Sequence, residues 1–398
     1  MKRISVSRTL IMPDRRRIAR YQRVPELGPR LLFFSGGTAL TDISRELKTF
    51  TYNSIHLVTP FDSGGSSAKL RDAFDMPAIG DLRSRIMSLA DETILGNPDV
   101  VRLFAYRFPA DAEQSELVQI LESLISGNDK KISSIGNPMR RLIRNHLGYF
   151  RNAMPKDFDL RGASIGNLVL AGGYLNNSQK LDSIVFLFSR LVGVRGTVQT
   201  VTNDNLHLAA ELADGKTIVG QHKLTGKETS PLKSPIKRVF LSRQLNKPTP
   251  IKVDMPKKKR GLIKDADLIC YPPGSLFSSI LANLLPGGVG KSVAMNGAPK
   301  VYIPSLGRDP EQLGLSLSDS VDKILSTLRG DTGIDCPTDR LLNFVLLDTK
   351  SGKYPIPMMR RAIRKKGIEI IDTPLISEES APYYDPKLVV SALLSISA

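Results

Sequence analysis

Apolar positions in this chain gather into short runs, each closed by a glycine-bearing polar turn and followed by residues at helical spacing. The first run, Leu31-Leu32-Phe33-Phe34, ends in Ser35-Gly36-Gly37-Thr38, after which Leu40, Ile43 and Leu47 recur three and four residues apart. An apolar run this short predicts a strand covered on both faces, and the three-four spacing predicts an amphipathic helix. The unit is therefore strand, glycine turn, helix. A second run, Ile55-His56-Leu57-Val58-Thr59, opens into Phe61-Asp62-Ser63-Gly64-Gly65-Ser66-Ser67, and Pro77 to Asp91 resumes a helical pattern through Leu82, Ile86 and Leu89. A third, Ala266 to Tyr271, runs into Pro272-Pro273-Gly274-Ser275-Leu276, with a helix predicted through Ile280 and Leu284.

Between the second and third units the pattern changes. From about 97 to 150 only helical spacing appears, with Leu117, Ile120, Leu121 and Leu124 on one face and a basic segment at Arg140, Arg141, Arg144 and Arg151. This predicts a helical cap inserted into an α/β body. Gly166-Asn167-Leu168 starts another helix, and Leu181 to Val192 carries the dense apolar face of a helix lying on a sheet. Val198, Val201, Leu206 and Leu208 alternate as strands around a polar turn, and the stretch from Gly215 to Lys259 predicts short edge strands with a mobile basic loop over about 225–260. Val301 to Ile303, a helix near 316–329, Leu342 to Leu347 and Ile368 to Ile371 continue the alternation. Residues 1–28 form a basic N-terminal extension, with Arg15, Arg16, Arg17 and Arg20 and no clear period, expected to pack on the body or on a partner subunit. Residues 29–398 then read as one α/β domain with a doubly wound, mostly parallel sheet.

Composition narrows the function classes. With 398 residues and 41% hydrophobic content the chain can fill a core, which excludes disorder. No stretch reaches the roughly 20 apolar residues of a membrane span, and the first thirty lack a secretory segment, so a cytoplasmic protein without membrane contact is expected. Cys270 and Cys336 read as free thiols. Lysine and arginine outnumber acids by 56 to 39, a net charge of +17, which favours anionic partners. The lack of tryptophan and an aromatic share of 6% argue against a stacking platform, making nucleic acid the weaker class.

Ligands of open α/β sheets bind beyond the carboxyl ends of the strands, and all three glycine turns would lie there. Gly36, Gly37 and Thr38 fit either a phosphate-binding turn or a tight structural one. Asp62, Gly64, Gly65, Ser66 and Ser67 combine a carboxylate, permissive glycines and hydroxyls. Such a loop can wrap an anion while Asp62 holds a sugar hydroxyl or a divalent cation; a solvated serine-rich turn is the alternative. Arg71 and the turn Gly80 to Arg83 would add charge-assisted bonds to phosphate, unless Asp81 serves only to cap its helix. At the third turn the amides of Gly274, Ser275 and Leu276 are expected to face outward. Ser275 lacks the glycine two residues on that a hydrolase elbow carries, and Gly290-Lys291-Ser292 lacks the spacing of a nucleotide-triphosphate loop. No flavin or NAD motif occurs. His56, His146, His207 and His222 show no metal-ligand spacing, and Lys257 to Arg260 reads as a solvated loop.

Gly36-Gly37-Thr38, Asp62 to Arg71, Pro77 to Arg83, Gly166-Asn167-Leu168, Val201 to Leu212 and Pro273 to Leu276 with Asn283-Leu284-Leu285 stand in one order over about residues 30–305. Together they resemble the superfamily that joins 2-phospho-L-lactate transferase (CofD) to the gluconeogenesis factor (YvcK). The resemblance implies a Rossmann-like fold with a nucleotide site at the strand ends. One branch transfers phospholactate from a guanosine diphosphate ester to a deazaflavin; the other resembles a non-catalytic binder of uridine-diphosphate sugars. Carried over, Gly36, Gly37, Thr38, Gly64, Gly65, Ser66, Ser67, Arg71, Asn167, Gly274, Ser275 and Leu276 hold the nucleotide and its phosphates. Asp62 becomes the candidate catalytic group, and Asp62 with Asp81 the candidate ligands of Mg²⁺. The paired acids usual in the family appear as Asp62-Ser63, with one carboxylate kept, and the glycine after the serine pair is Ala68. A nucleoside-diphosphate-linked partner is thus expected, as transferase substrate or as regulatory ligand, with a protein partner at the basic helix 140–151 and homo-oligomerisation as further expectations.

Overall fold

Residues Leu31–Ser35 form β1, buried at every position, and its side chains divide by parity: Leu32 and Phe34 join one apolar cluster, Leu31 and Phe33 another. This is the signature of a strand covered on both faces. The computed structural model describes residues 9–93, 96–226 and 231–397. Beside β1 lie β2 (Ile55–Val58) and then β3 (Thr197–Thr200). The chain next builds a small antiparallel sheet of β4 (His207–Leu212), β5 (Thr217–Val219) and β6 (Ile236–Ser242), in the order β5-β4-β6. It returns to the main sheet on the other side of β1 with β7 (Leu268–Tyr271), β8 (Lys300–Tyr302), β9 (Phe344–Leu347) and β10 (Glu369–Asp372). The seven-stranded order is β10-β9-β8-β7-β1-β2-β3, and every pair is parallel. Strand order therefore reverses at the β1–β7 boundary, the place where α/β sheets open a crevice.

Helices cover both faces. A short α1 (Arg15–Arg23) precedes β1, and α2 (Thr41–Leu47) follows it. After β2 come α3 (Gly65–Phe74) and α4 (Gly80–Ser88), then α5 (Pro98–Ala105), α6 (Gln114–Ser126), α7 (Lys130–Ser133), α8 (Met139–Ala153), α9 (Ile165–Asn176) and α10 (Leu181–Leu191). The helical connection between β2 and β3 is thus longer than the 97–150 cap the periodicity predicts. Its core, which includes Leu121, Phe150, Leu168 and Phe188, reaches the sheet at Val58 and Val198. Farther on are α11 (Gln221–Thr225), α12 (Lys257–Lys264), a wider turn over Leu276–Leu281 leading to α13 (Ala282–Leu284), α14 (Val289–Met295), α15 (Leu317–Thr332), α16 (Arg360–Lys365) and α17 (Pro386–Ile396). Among the described residues no helix is long and apolar enough to cross a membrane.

Two segments differ from their sequence reading. The aperiodic arm contains α1, because the Asp14 side chain accepts from the Arg17 amide at 3.1 Å and Ile18 and Tyr21 pack beside α17. Residues 1–8 of that arm lie outside the described residues. Lys257 to Arg260 is not a solvated loop but the first turn of α12. The Lys259 side chain is only 3% exposed and pairs with Asp182 at 2.8 Å and Asn203 at 2.6 Å. A buried lysine stem with a satisfied ammonium fixes this end of the expected mobile loop; residues 227–230 of the loop lie outside the described set.

Candidate functional site

The carboxyl ends of β1, β2 and β7 deliver the three glycine turns to one cleft of about 380 Å³. Gly36, Gly37 and Thr38 line it from β1, Asp62, Gly64, Gly65, Ser66 and Ser67 from β2, and Gly274 and Ser275 from β7. Asp81 and Arg83 enter from α4, and Asn167 from α9. Residues more than two hundred positions apart meet here because β1 pairs with β2 on one side and β7 on the other.

Hydrogen bonding leaves the turns open toward the cleft. Among the described residues, no hydrogen bond occupies the amides of Gly36, Gly37, Thr38, Gly274 or Ser275. Arg85, fully buried on α4, donates to the carbonyls of Gly36 at 3.2 Å and Gly37 at 2.9 Å and to Ser44 Oγ at 2.7 Å. The first turn is thereby held from behind by a charge whose pKa burial pulls down to about 10. Adjacent glycines are needed because the turn is crowded: a Cβ on Gly36 would lie 2.3 Å from Ser279 Oγ, and one on Gly37 2.5 Å from Asp81 Oδ1. In the second turn Asp62 Oδ1 accepts from the Gly64 amide at 3.1 Å, and α3 starts at Gly65, so Ser66 and Ser67 sit in its first turn. An open first helical turn favours an anion.

Charge is distributed unevenly around the cleft. Asp62 and Asp81 face it as acids, while Arg83 and Arg107 face it as bases that make no ion pair among the described residues. Burial, then the neighbouring Arg107 charge, lowers the Arg83 pKa to about 10. Holding a desolvated guanidinium beside a like charge is unfavourable until an anion arrives. Ser35 Oγ, Asn167 Oδ1, Gln221 Oε1 and Arg83 Nε, all on residues lining this cleft, are buried without a hydrogen-bond partner. Buried polar groups are normally satisfied, so these four atoms give the cleft a polar lining with hydrogen-bonding capacity to spare. Among the described residues no group of three or more His, Cys, Asp or Glu side chains could hold a metal ion. The carboxylates of Asp62 and Asp81 still match the one or two acids that Mg²⁺ takes when phosphate and water complete its shell.

Two expected ligand-binding residues lie elsewhere. Arg71 is buried against the far side of the second turn, its guanidinium donating to Leu206 O at 2.7 Å, Asn205 Oδ1 at 2.9 Å and Asp62 O at 3.2 Å. It braces the loop from outside, because α3 begins early enough to turn this position away from the cleft. The Leu276 amide is likewise spent, donating to Asp309 Oδ2 at 2.9 Å, while Phe277 and Ser278 donate to Glu311 Oε2 at 2.8 and 2.9 Å. Burial and the Asp309 charge push the Glu311 carboxyl up to about 8. Conversely, Arg107, Gln221, His222 and Thr225 line the cleft without being expected there, and Ser279 lines it from the end of the third turn. His222 is one of the four scattered histidines, and only the path of the small sheet brings it near Ser63, with Nδ1 and Oγ 2.8 Å apart.

The family model described as 2-phospho-L-lactate transferase CofD matches residues 31–376. The gluconeogenesis factor of Bacillus subtilis is 29% identical over 376 residues, covering 92% of this chain and 98% of its own. That of Listeria monocytogenes is 31% identical over 283 residues, 71% of this chain and 68% of its own. In fold, a crystal structure of a UPF0052 family member from Bacillus halodurans superposes with a TM-score of 0.67 at 24% identity, covering 92% of this chain and 99% of that one. The match over most of its length places the three-turn cleft in a known family: this chain belongs to the CofD family.

Proposed function

We propose that the cleft binds a nucleoside-diphosphate-linked ligand, with its diphosphate on the open amides of the three turns and its charge met by Arg83 and Arg107. The observation that carries this reading is the convergence, at the sheet's switch point, of amides from β1 and β7 and of two guanidinium groups that, among the described residues, have no hydrogen-bond acceptor and no ion pair respectively. Oriented amides, the buried Arg83 and the exposed Arg107 favour phosphate over other anions because each phosphate oxygen accepts several bonds. Asp62 and Asp81 would hold Mg²⁺, which would neutralise charge on the diphosphate. In a phospho-ester transferase of the family's type, Asp62 would either hold Mg²⁺ or, left free of it, take the proton from an acceptor hydroxyl that attacks phosphorus as the nucleoside monophosphate leaves. Arg141 on α8 is exposed, and this reading assigns the basic face Arg140 to Arg151 to an acidic protein partner.

A second reading uses the same cleft without turnover, as a uridine-diphosphate-sugar-responsive regulator. It is favoured by the name gluconeogenesis factor borne by relatives that align along nearly the whole chain. Incubation of the protein with guanosine- and uridine-diphosphate esters and Mg²⁺, followed by nucleotide chromatography, separates the two. Release of nucleoside monophosphate supports transfer; a ligand that is bound and recovered intact supports regulation; absence of binding overturns both.

A further inference from the structure

One wall of the cleft is α11, which arrives from the small antiparallel sheet rather than from the main one. It sits directly on the second glycine turn. Gly220, just before α11, has φ +105°, and a Cβ there would lie 3.1 Å from Ser63 Oγ. His222 approaches the same hydroxyl twice, through Nδ1 at 2.8 Å and through its backbone amide at 3.4 Å. Gln221, next to it, is 8% exposed and lines the cleft. Among the described residues its carboxamide makes no hydrogen bond, and its oxygen is buried. The arm is thus pinned at His222, beside a glutamine left unsatisfied.

A free carboxamide offers a donor and an acceptor side by side. That pair complements an edge where N–H stands next to C=O, in the way glutamine reads base edges elsewhere. We propose that α11 is the selectivity arm of the cleft: Gln221 hydrogen-bonds the amide-type edge of the ligand's non-phosphate part, and the His222–Ser63 contact positions it. Such an edge is present on a uracil or guanine base and, in related form, on the acylamino group of a nucleotide-linked sugar. The inference rests on the diphosphate reading above.

Titration calorimetry with inorganic pyrophosphate, UDP, UDP-glucose and UDP-N-acetylglucosamine tests it in wild type, Gln221→Leu, His222→Ala and His222→Asn. Pyrophosphate touches only the phosphate end, so its affinity reports an intact cleft in each variant. Loss of the Gln221 bond is expected to weaken UDP roughly ten-fold, with pyrophosphate unchanged, if the base supplies the edge. If the sugar supplies it, UDP and UDP-glucose stay unchanged and UDP-N-acetylglucosamine falls to the level of UDP-glucose. His222→Ala should reproduce the Gln221→Leu pattern, and His222→Asn, which keeps a polar group toward Ser63, should restore it. Equal loss for pyrophosphate and nucleotides, or no loss for any, overturns the selectivity arm while leaving the diphosphate site standing. Wild-type protein that binds none of the four removes the underlying reading as well.

Discussion

Asp81 and Gly37 face each other across the first turn so closely that a single methyl on Gly37 would lie 2.5 Å from the carboxylate. The acid and the turn are therefore one unit, with Arg85 holding the Gly36 and Gly37 carbonyls from the other side. Gly37→Ala forces the turn or Asp81 to move, so an amide–phosphate bond is lost. Pyrophosphate affinity is expected to fall roughly ten- to a hundred-fold, the value of one charge-assisted hydrogen bond. Calorimetry checks this; unchanged affinity would place the anion elsewhere.

Arg83 carries its charge at a cost to the fold, since burial and Arg107 both depress its pKa, to about 10. At neutral pH the charged form is destabilised relative to the unfolded chain, so Arg83→Met should raise the thermal midpoint slightly while weakening pyrophosphate. A guanidinium kept only for structure would give the opposite sign in the melting curve.

Glu311 gives a pH dependence of known direction. Its folded pKa, about 8, lies above the ordinary 4.5, so the folded state binds the extra proton between those values. Stability from this group is fully present below about pH 4.5 and is lost as pH rises through about 8. Glu311→Gln, which mimics the neutral acid and still accepts from the Phe277 and Ser278 amides, should flatten the fall of the midpoint across that window. Parallel curves for the two proteins would show that Glu311 ionises normally.

Lys259 tests the packing of α12 against α10 and the end of β3. With a side chain 3% exposed and bonds to Asp182, Asn203 and Thr200, its replacement by alanine should cost about 1–3 kcal/mol in urea unfolding. A change within about 0.5 kcal/mol, typical of a surface lysine, would contradict the buried pairing.

The main sheet was legible because its strands are short apolar runs with glycine turns at their ends, a local pattern that parallel pairing requires. The same locality placed Gly36, Gly37, Asp62, Gly64 and Gly274 at the strand ends, where they line the cleft. Arg71 and Leu276 were misplaced because their partners, Leu206 and Asp309, are far away in sequence and no local pattern announces who will satisfy a donor first. Gln221 and His222 are not legible for the converse reason: they follow a three-residue edge strand with little periodicity, and only the return of β4 and β5 toward the β2 turn brings them to the cleft. The α1 helix was hidden because most of its residues are arginines, and its packing on α17 comes from the opposite end of the chain.

The most direct test of the account is calorimetric titration of the wild-type protein with UDP and GDP, each with and without Mg²⁺, beside the Gly37→Ala and Arg83→Met variants. The account predicts saturable one-to-one binding of at least one nucleotide that both variants weaken. Nucleotide binding indifferent to both substitutions, or none at all, would contradict a diphosphate site formed by the three glycine turns.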